Sequence, residues 1–295
     1  MVEGKTSKYL VTGISYIYFI IFSLACIIPF VILISASLSN ETMLIDTGYG
    51  ILPKGFTLDA YKIAFSNSDS LINAYLVTIF TTTVGSVLAT LIMSMVAYPL
   101  ARKTYKPRNA VSFYIYFTML FSAGAIPNYI LYTQYLGLKN NILVLILPML
   151  FSPYHTFVLR TYFSQIPDGV IEAAKIDGAS EWQIFMKIVM PMSITGVVTI
   201  LFLQVLHFWN QWYACLMYIT DDRLITLQYY LQRVMSNVEQ MLKNQEAGIS
   251  TSFGTIPSET TRMAICIIAA GPMIFVFSFF QKYFTKGMTV GSVKG

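Results

Sequence analysis

Three polar side chains recur at helical spacing inside an otherwise apolar run, Gln204, His207 and Gln211, with Asn210 beside them. Amides and an imidazole in that pattern exchange hydrogen bonds with hydroxyl groups and bring no fixed charge. Two readings of them stay open. Such groups bond helix to helix within a membrane for ~1–2 kcal/mol or less, or they line a path for a polar, uncharged solute. Asn128, next to Pro127 in another apolar run, joins the lining candidates. Trp209, Trp212, Tyr213 and Tyr218 read as interfacial belt or core residues. His155, beside Pro153 and Tyr154, reads as a hydrogen-bonded packing residue, because it lacks the partners a metal site needs.

The motifs of enzymes are missing from this sequence. Gly4-Lys5-Thr6 lacks the upstream glycine of a phosphate-binding loop, and there is no His-Glu-x-x-His, no Gly-x-Ser-x-Gly and no carboxylate pair placed for acid–base work. No catalytic residue, no metal and no cofactor bound by this chain are therefore expected. Cys26, Cys215 and Cys266 lie far apart in apolar runs and read as small hydrophobes.

The elements that must hold the polar groups are long and apolar. Of 295 residues, 56% are hydrophobic and 11% charged, and the mean hydropathy is +0.62, the composition of a polytopic membrane protein. Six candidate spans cover roughly 11–36, 71–100, 111–135, 141–158, 192–218 and 263–284, each able to cross a bilayer core of about 30 Å. The first is read as an uncleaved span rather than a signal peptide, with Pro29 kinking or ending it. Gly124 and Pro127 should interrupt the third span, and Pro148 and Pro153 the fourth; such breaks are tolerated only where protein or a water-filled cavity satisfies the freed backbone. All 14 acidic residues fall in loops or at span ends, which weighs against an ion-coupled secondary transporter.

Residues 38–69 and 220–261 form polar loops. In the first, Thr57 should cap a short helix carrying Tyr61; in the second, Leu227, Leu231, Val234, Val238 and Met241 repeat at helical spacing, and Ser258 should cap the last span. Asn40-Glu41-Thr42 matches a glycosylation acceptor by chance. The loop 161–191 differs from both. Pro167 suits a first helical turn, Gly178 a left-handed cap, and Ser180 with Gln183 a capping box, which predicts helix, turn, helix. Twelve of the 19 Lys and Arg fall with the termini and alternate loops, led by Arg102, Lys103, Lys106 and Arg108, so that side, including both termini and the 161–191 loop, is expected to be cytoplasmic.

Within that loop, Glu172-Ala173-Ala174, then Asp177-Gly178-Ala179, then Phe185, Ile188 and Pro191 stand in the order and spacing of the EAA loop. The chain thus resembles the permeases of binding-protein-dependent ABC importers. The ending, with Lys286-Gly287-Met288-Thr289-Val290-Gly291 and Val293-Lys294-Gly295, is similar to that of the carbohydrate-importing branch, although Met288 stands where leucine is usual. Within that branch it resembles most the relatives of the maltose transporter's smaller permease subunit, in a lipoprotein- or alginate-operon-like oligosaccharide subgroup.

The resemblance implies an all-α type I ABC importer permease fold, one permease domain over 1–295 in a cell membrane. Implied partners are a second homologous permease, two ATPase subunits that hold ATP and Mg, an extracellular solute-binding protein, a sugar and the lipid bilayer, with no nucleic acid. Glu172, Ala173, Ala174, Asp177, Gly178, Ala179, Phe185 and Pro191 would couple to the ATPase, and a tail over 285–295, with Lys286, Gly287, Thr289, Gly291 and Lys294, would reach it too. A membrane scaffold or receptor that senses a loaded binding protein is the competing class.

Overall fold

The computed structural model describes residues 5–65, 68–246 and 259–291, whose regular elements are all helices, with no strand among them. In chain order the helices are α1 (Lys5–Ser37), α2 (Glu41–Thr47), α3 (Asp59–Ala64), α4 (Ser68–Ala101), α5 (Arg108–Leu120), α6 (Ala125–Ile130), α7 (Pro153–Phe163), α8 (Asp168–Ile176), α9 (Glu181–Ile184), α10 (Met190–Met192), α11 (Ile194–Trp209), α12 (Tyr213–Tyr218), α13 (Leu227–Glu246) and α14 (Glu259–Gly291). Three stretches are long and apolar enough to cross a membrane unaided, Thr12–Ser37, Asp69–Ala101 and Glu259–Lys282. Three bent pairs are long and apolar enough only when the two members of each are taken together: Arg108–Leu120 with Ala125–Tyr135 at 109°, Ile142–Met149 with Pro153–Phe163 at 51°, and Glu181–Met192 with Ile194–Trp209 at 84°.

The observed spans depart from the sequence expectation where capping decides. Pro29 does not end α1, which runs on to Ser37. The third span breaks at Phe121–Gly124, where Gly124 takes φ +85°, and Pro127 lies inside the helix that follows. The fourth begins as two short 3-10 turns, Ile142–Leu145 and Leu147–Met149. A regular helix starts only at Pro153, where Ser152 accepts from the His155 amide, and it extends to Phe163 rather than Val158. The fifth stops at Trp209 instead of continuing through Gln211.

The chain forms two compact units, Met1–Ser68 with Val234–Gly271 and Asp69–Arg233 with Pro272–Gly295. In the first, Asn40 is a helix cap, its Oδ1 accepting from the Thr42 and Met43 amides. Thr57 accepts from the Asp59 amide at 3.2 Å, although the cap position of α3 falls on Leu58. The start of α14 is capped by Glu41, whose carboxylate accepts from the amides of Glu259 and Thr260 at 2.9 Å each and from the Thr260 hydroxyl at 2.6 Å. Ser258, the expected cap, lies outside the described residues.

The second unit holds the main core: Met93, Ala97 and Tyr98 of α4, Leu159 and Phe163 of α7, Ile171 and Ala174 of α8, and Ile200 and Phe208 of α11. Two glycines permit close helix approach. A methyl group on Gly85 would lie 2.4 Å from the Phe208 ring, and one on Gly196 the same distance from the Tyr162 ring. Gly85→Ala should therefore lower stability by ~1–3 kcal/mol through overpacking, read as a fall in the thermal midpoint of the purified protein in detergent. Gly169→Ala, with open space at its Cβ, should not.

Candidate functional site

The helix breaks of the second unit surround a cavity of about 750 Å³. Its polar lining comes from Asn128, His155, His207, Asn210 and Gln211, and its apolar lining includes Tyr132, Trp212, Tyr213 and Tyr218. Among the described residues, none that lines the wall is Lys, Arg, Asp or Glu.

Each polar residue is held by its local backbone. Asn210 is the C-cap of α11, and its Nδ2 donates to the Leu206 carbonyl at 2.8 Å. Gln211 follows in the break, its carbonyl accepting from the buried Thr226 hydroxyl at 2.8 Å. The residue is 6% exposed, and its side-chain amide has no hydrogen-bond partner among the described residues. A buried amide in that state carries a desolvation cost of ~1–3 kcal/mol, which a hydroxyl-bearing guest would offset. Tyr218 stacks on Tyr129, with ring centroids 5.9 Å apart, and meets Tyr132 edge-on at 5.6 Å, so the aromatic wall is rigid.

The two readings of the fifth span thus divide between its residues. Gln204, 1% exposed, does not line the cavity; its Nε2 donates to His155 Nδ1 at 2.7 Å, helix-to-helix glue between α11 and α7. Nδ1 as acceptor puts the imidazole hydrogen on Nε2. His155 is the hydrogen-bonded packing residue expected, and it also faces the cavity. Trp212 and Tyr213 line the cavity, Tyr218 both lines it and is core, and Trp209 is core.

The 161–191 loop folds as helix, turn, helix. α8 follows Pro167, Gly178 takes φ +80°, and Ser180 and Gln183 form both halves of a capping box before α9. The second helix does not stop at Pro191 but runs through a π-helical turn, Phe185–Val189, into α10, and turns by 84° at Ser193. The loop has two faces. Ile171, Ala174, Ile184, Phe185 and Val189 are buried in the main core. Glu172, Ala173, Asp177, Gly178 and Pro191 are exposed, with Ile176 86% and Trp182 54% exposed among them, while Ala179 is half-buried. Ala174 and Phe185 therefore mount the loop on its own chain.

Polar ties missed by sequence reasoning fix the loop to the end of α4. Asp168 lies 3.8 Å from Arg102 and 3.5 Å from Lys103; Glu181 pairs with Lys175 at 2.5 Å and accepts from the Tyr98 hydroxyl at 2.6 Å. Lys175 and Glu181 are six apart across a turn, so no helical spacing reveals them. Lys286, Gly287, Thr289 and Gly291 lie on α14, which stays helical where a tail was expected; Lys294 lies outside the described residues. No group of three His, Cys, Asp or Glu among the described residues could hold a metal.

The hydrogen bonds from Lys175 and then Tyr98 hold the Glu181 carboxyl below the ordinary carboxylate range, against a smaller opposing effect of burial. A lowered folded-state value means the stabilisation is full above the ordinary glutamate value and is lost as pH falls through the folded one. The difference in thermal midpoint between the parent chain and Glu181→Gln should be present at neutral pH and should close on acidification, read by unfolding fluorescence in detergent.

Residues 91–290 match the family described as binding-protein-dependent transport system inner membrane component. The chain is 32% identical over 283 residues to the polygalacturonan/rhamnogalacturonan transport system permease protein YtcP of Bacillus subtilis strain 168, covering 95% of this chain and 96% of that one. It is 36% identical over 269 residues to Protein LplC of the same organism, covering 91% and 90%. Among solved structures it is similar to a bacterial ABC transporter involved in the import of the acidic polysaccharide alginate, with TM-score 0.80 and 26% identity over 96% of this chain and 99% of that one.

Proposed function

This chain belongs to the family of binding-protein-dependent transport system inner membrane components, and from that premise we propose that it is a transmembrane subunit of an ATP-driven importer of sugars, an oligosaccharide in particular. The observation that carries the reading is the two-faced loop. A helix–turn–helix rooted in the chain's own core presents Glu172, Ala173, Ile176 and Asp177 outward, the form a docking surface for another subunit takes. The chain is a permease and not an enzyme; ATP and Mg belong to two partner ATPase subunits.

In the proposed cycle a loaded extracellular binding protein docks on segments 38–69 and 220–261, and a second homologous permease completes the pathway. ATP-driven closure of the ATPase pair moves the 161–191 loop, with Glu172 against a basic group of the partner. The spans then alternate between inward- and outward-open states, and the uncharged cavity of Asn128, His207, Asn210 and Gln211 receives sugar hydroxyls. Both termini and the loop lie on the cytoplasmic side in this reading. The pairing of Arg102 and Lys103 with Asp168 supports it, because the basic turn and the loop share one side. The C-terminal segment containing Lys286, Gly287, Thr289, Gly291 and Lys294 adds a second approach to the ATPases.

Two substitutions separate docking from pathway. Ile176→Asp or Glu172→Lys should reduce co-purification of the ATPase by roughly tenfold or more, the effect of losing a contact of ~1.4 kcal/mol or greater, with the two permeases still paired. Gln211→Ala and His207→Ala should leave the assembled complex intact and change sugar uptake. Normal co-purification in the first pair would sink the docking assignment, and loss of assembly in the second would reduce those residues to packing.

A further inference from the structure

Glu181 is where three separately built pieces of the chain meet. Its own helix starts at the capping box; its Oε1 holds Lys175 Nζ of α8 at 2.5 Å across the Gly178 turn; its Oε2 accepts from the Tyr98 hydroxyl of α4 at 2.6 Å. The apolar seat beneath, with Tyr98 and Phe185 ring centroids 5.6 Å apart, holds the loop in place but imposes no direction, because apolar burial is non-directional. Charge-assisted hydrogen bonds do impose one. A second tie, Asp168 to Arg102 and Lys103, sits at the other end of α8, roughly 10 Å away at 1.5 Å per residue. One tie would leave α8 free to swivel on its seat, whereas two at opposite ends fix its axis.

We propose that Glu181 is a positioning residue that locks α8, α9 and the Ala101 end of α4 into one body, so that force applied to the exposed face of the loop is delivered to the second span. The delivery of force rests on the reading of the loop as the ATPase dock; the lock itself does not. The ionised state of the carboxyl, favoured by Lys175 and Tyr98, suits a double acceptor. Arg102, the other charged group facing it, is of the sign that keeps it so.

The test measures distance within the body. Spin labels at Lys106→Cys and Lys187→Cys, both exposed, are placed in a chain whose Cys26, Cys215 and Cys266 are alanine. Pulsed spin-resonance distances are taken in the full importer, nucleotide-free and trapped with ATP and vanadate. The parent chain should give one narrow distance in both states. Glu181→Gln should lose it in the trapped state, and so should Tyr98→Phe, which removes a single hydroxyl and leaves the ring packing. The charge swap Lys175→Glu with Glu181→Lys, in which the Tyr98 hydroxyl oxygen turns acceptor for the relocated ammonium, should restore it. A distance that stays narrow in Glu181→Gln and Tyr98→Phe overturns the proposal, as does a lost distance that the swap fails to restore, which marks a merely structural role. If no ATPase subunit assembles with the parent chain, the importer reading fails. The same labels in the chain alone in lipid nanodiscs then decide the lock: widened by Glu181→Gln supports it, unchanged refutes it.

Discussion

A backbone inside a bilayer has no water to satisfy its amide and carbonyl groups, so every place where a span stops being a regular helix must find its own hydrogen-bond partners. This constraint shapes the second unit more than any single contact. The breaks occur at Phe121–Gly124, between Met149 and Pro153, and after Trp209. Their loose groups are met by the Ser122 hydroxyl accepting from the Gly124 amide, by Ser152 as a cap, by the Asn210 side chain on the Leu206 carbonyl, and by Thr226 on the Gln211 carbonyl. The residues at or beside these breaks, Asn128, Pro148, Met149, Asn210, Gln211 and Trp212, are also the residues that line the cavity. The same deviation from regularity therefore puts polar side chains on the cavity wall.

The loop 161–191 shows a parallel division of labour. Its inward residues are large and fully enclosed, among them Ile171, Ile184 and Phe185, and contribute the non-directional part of its attachment. Its outward residues are a mixture of small, acidic and basic side chains, Lys175 and Lys187 among them, with Ile176 and Trp182 left bare.

Much of this was legible because it is local. Gly178, Ser180 and Gln183 declare their turn and cap within a few residues, and the apolar runs declare the spans. What stayed hidden depends on neighbours distant in the chain. Tyr98 and Glu181 are 83 residues apart, and Gln204 and His155 are 49 apart. Periodicity also overreached at Gln211: the spacing continued past Trp209, but the helix did not, because Asn210 ended it. The basic turn after α4 was legible as charge, although its bond to Asp168 was not. The helical continuation of α14 through Gly287 ran against the propensity of glycine, which tertiary context can override.

The cap that Glu41 places on α14 has a bearing on biogenesis. The carboxylate and the amides it receives are 218 and 219 residues apart, so the acceptor leaves the ribosome well before the last helix is made. That helix enters the membrane with the partner for its first turn already synthesised. A shortened chain that begins after α2 would have to find another acceptor for the same two amides, which makes the segment that follows α1 a folding template for the latest span.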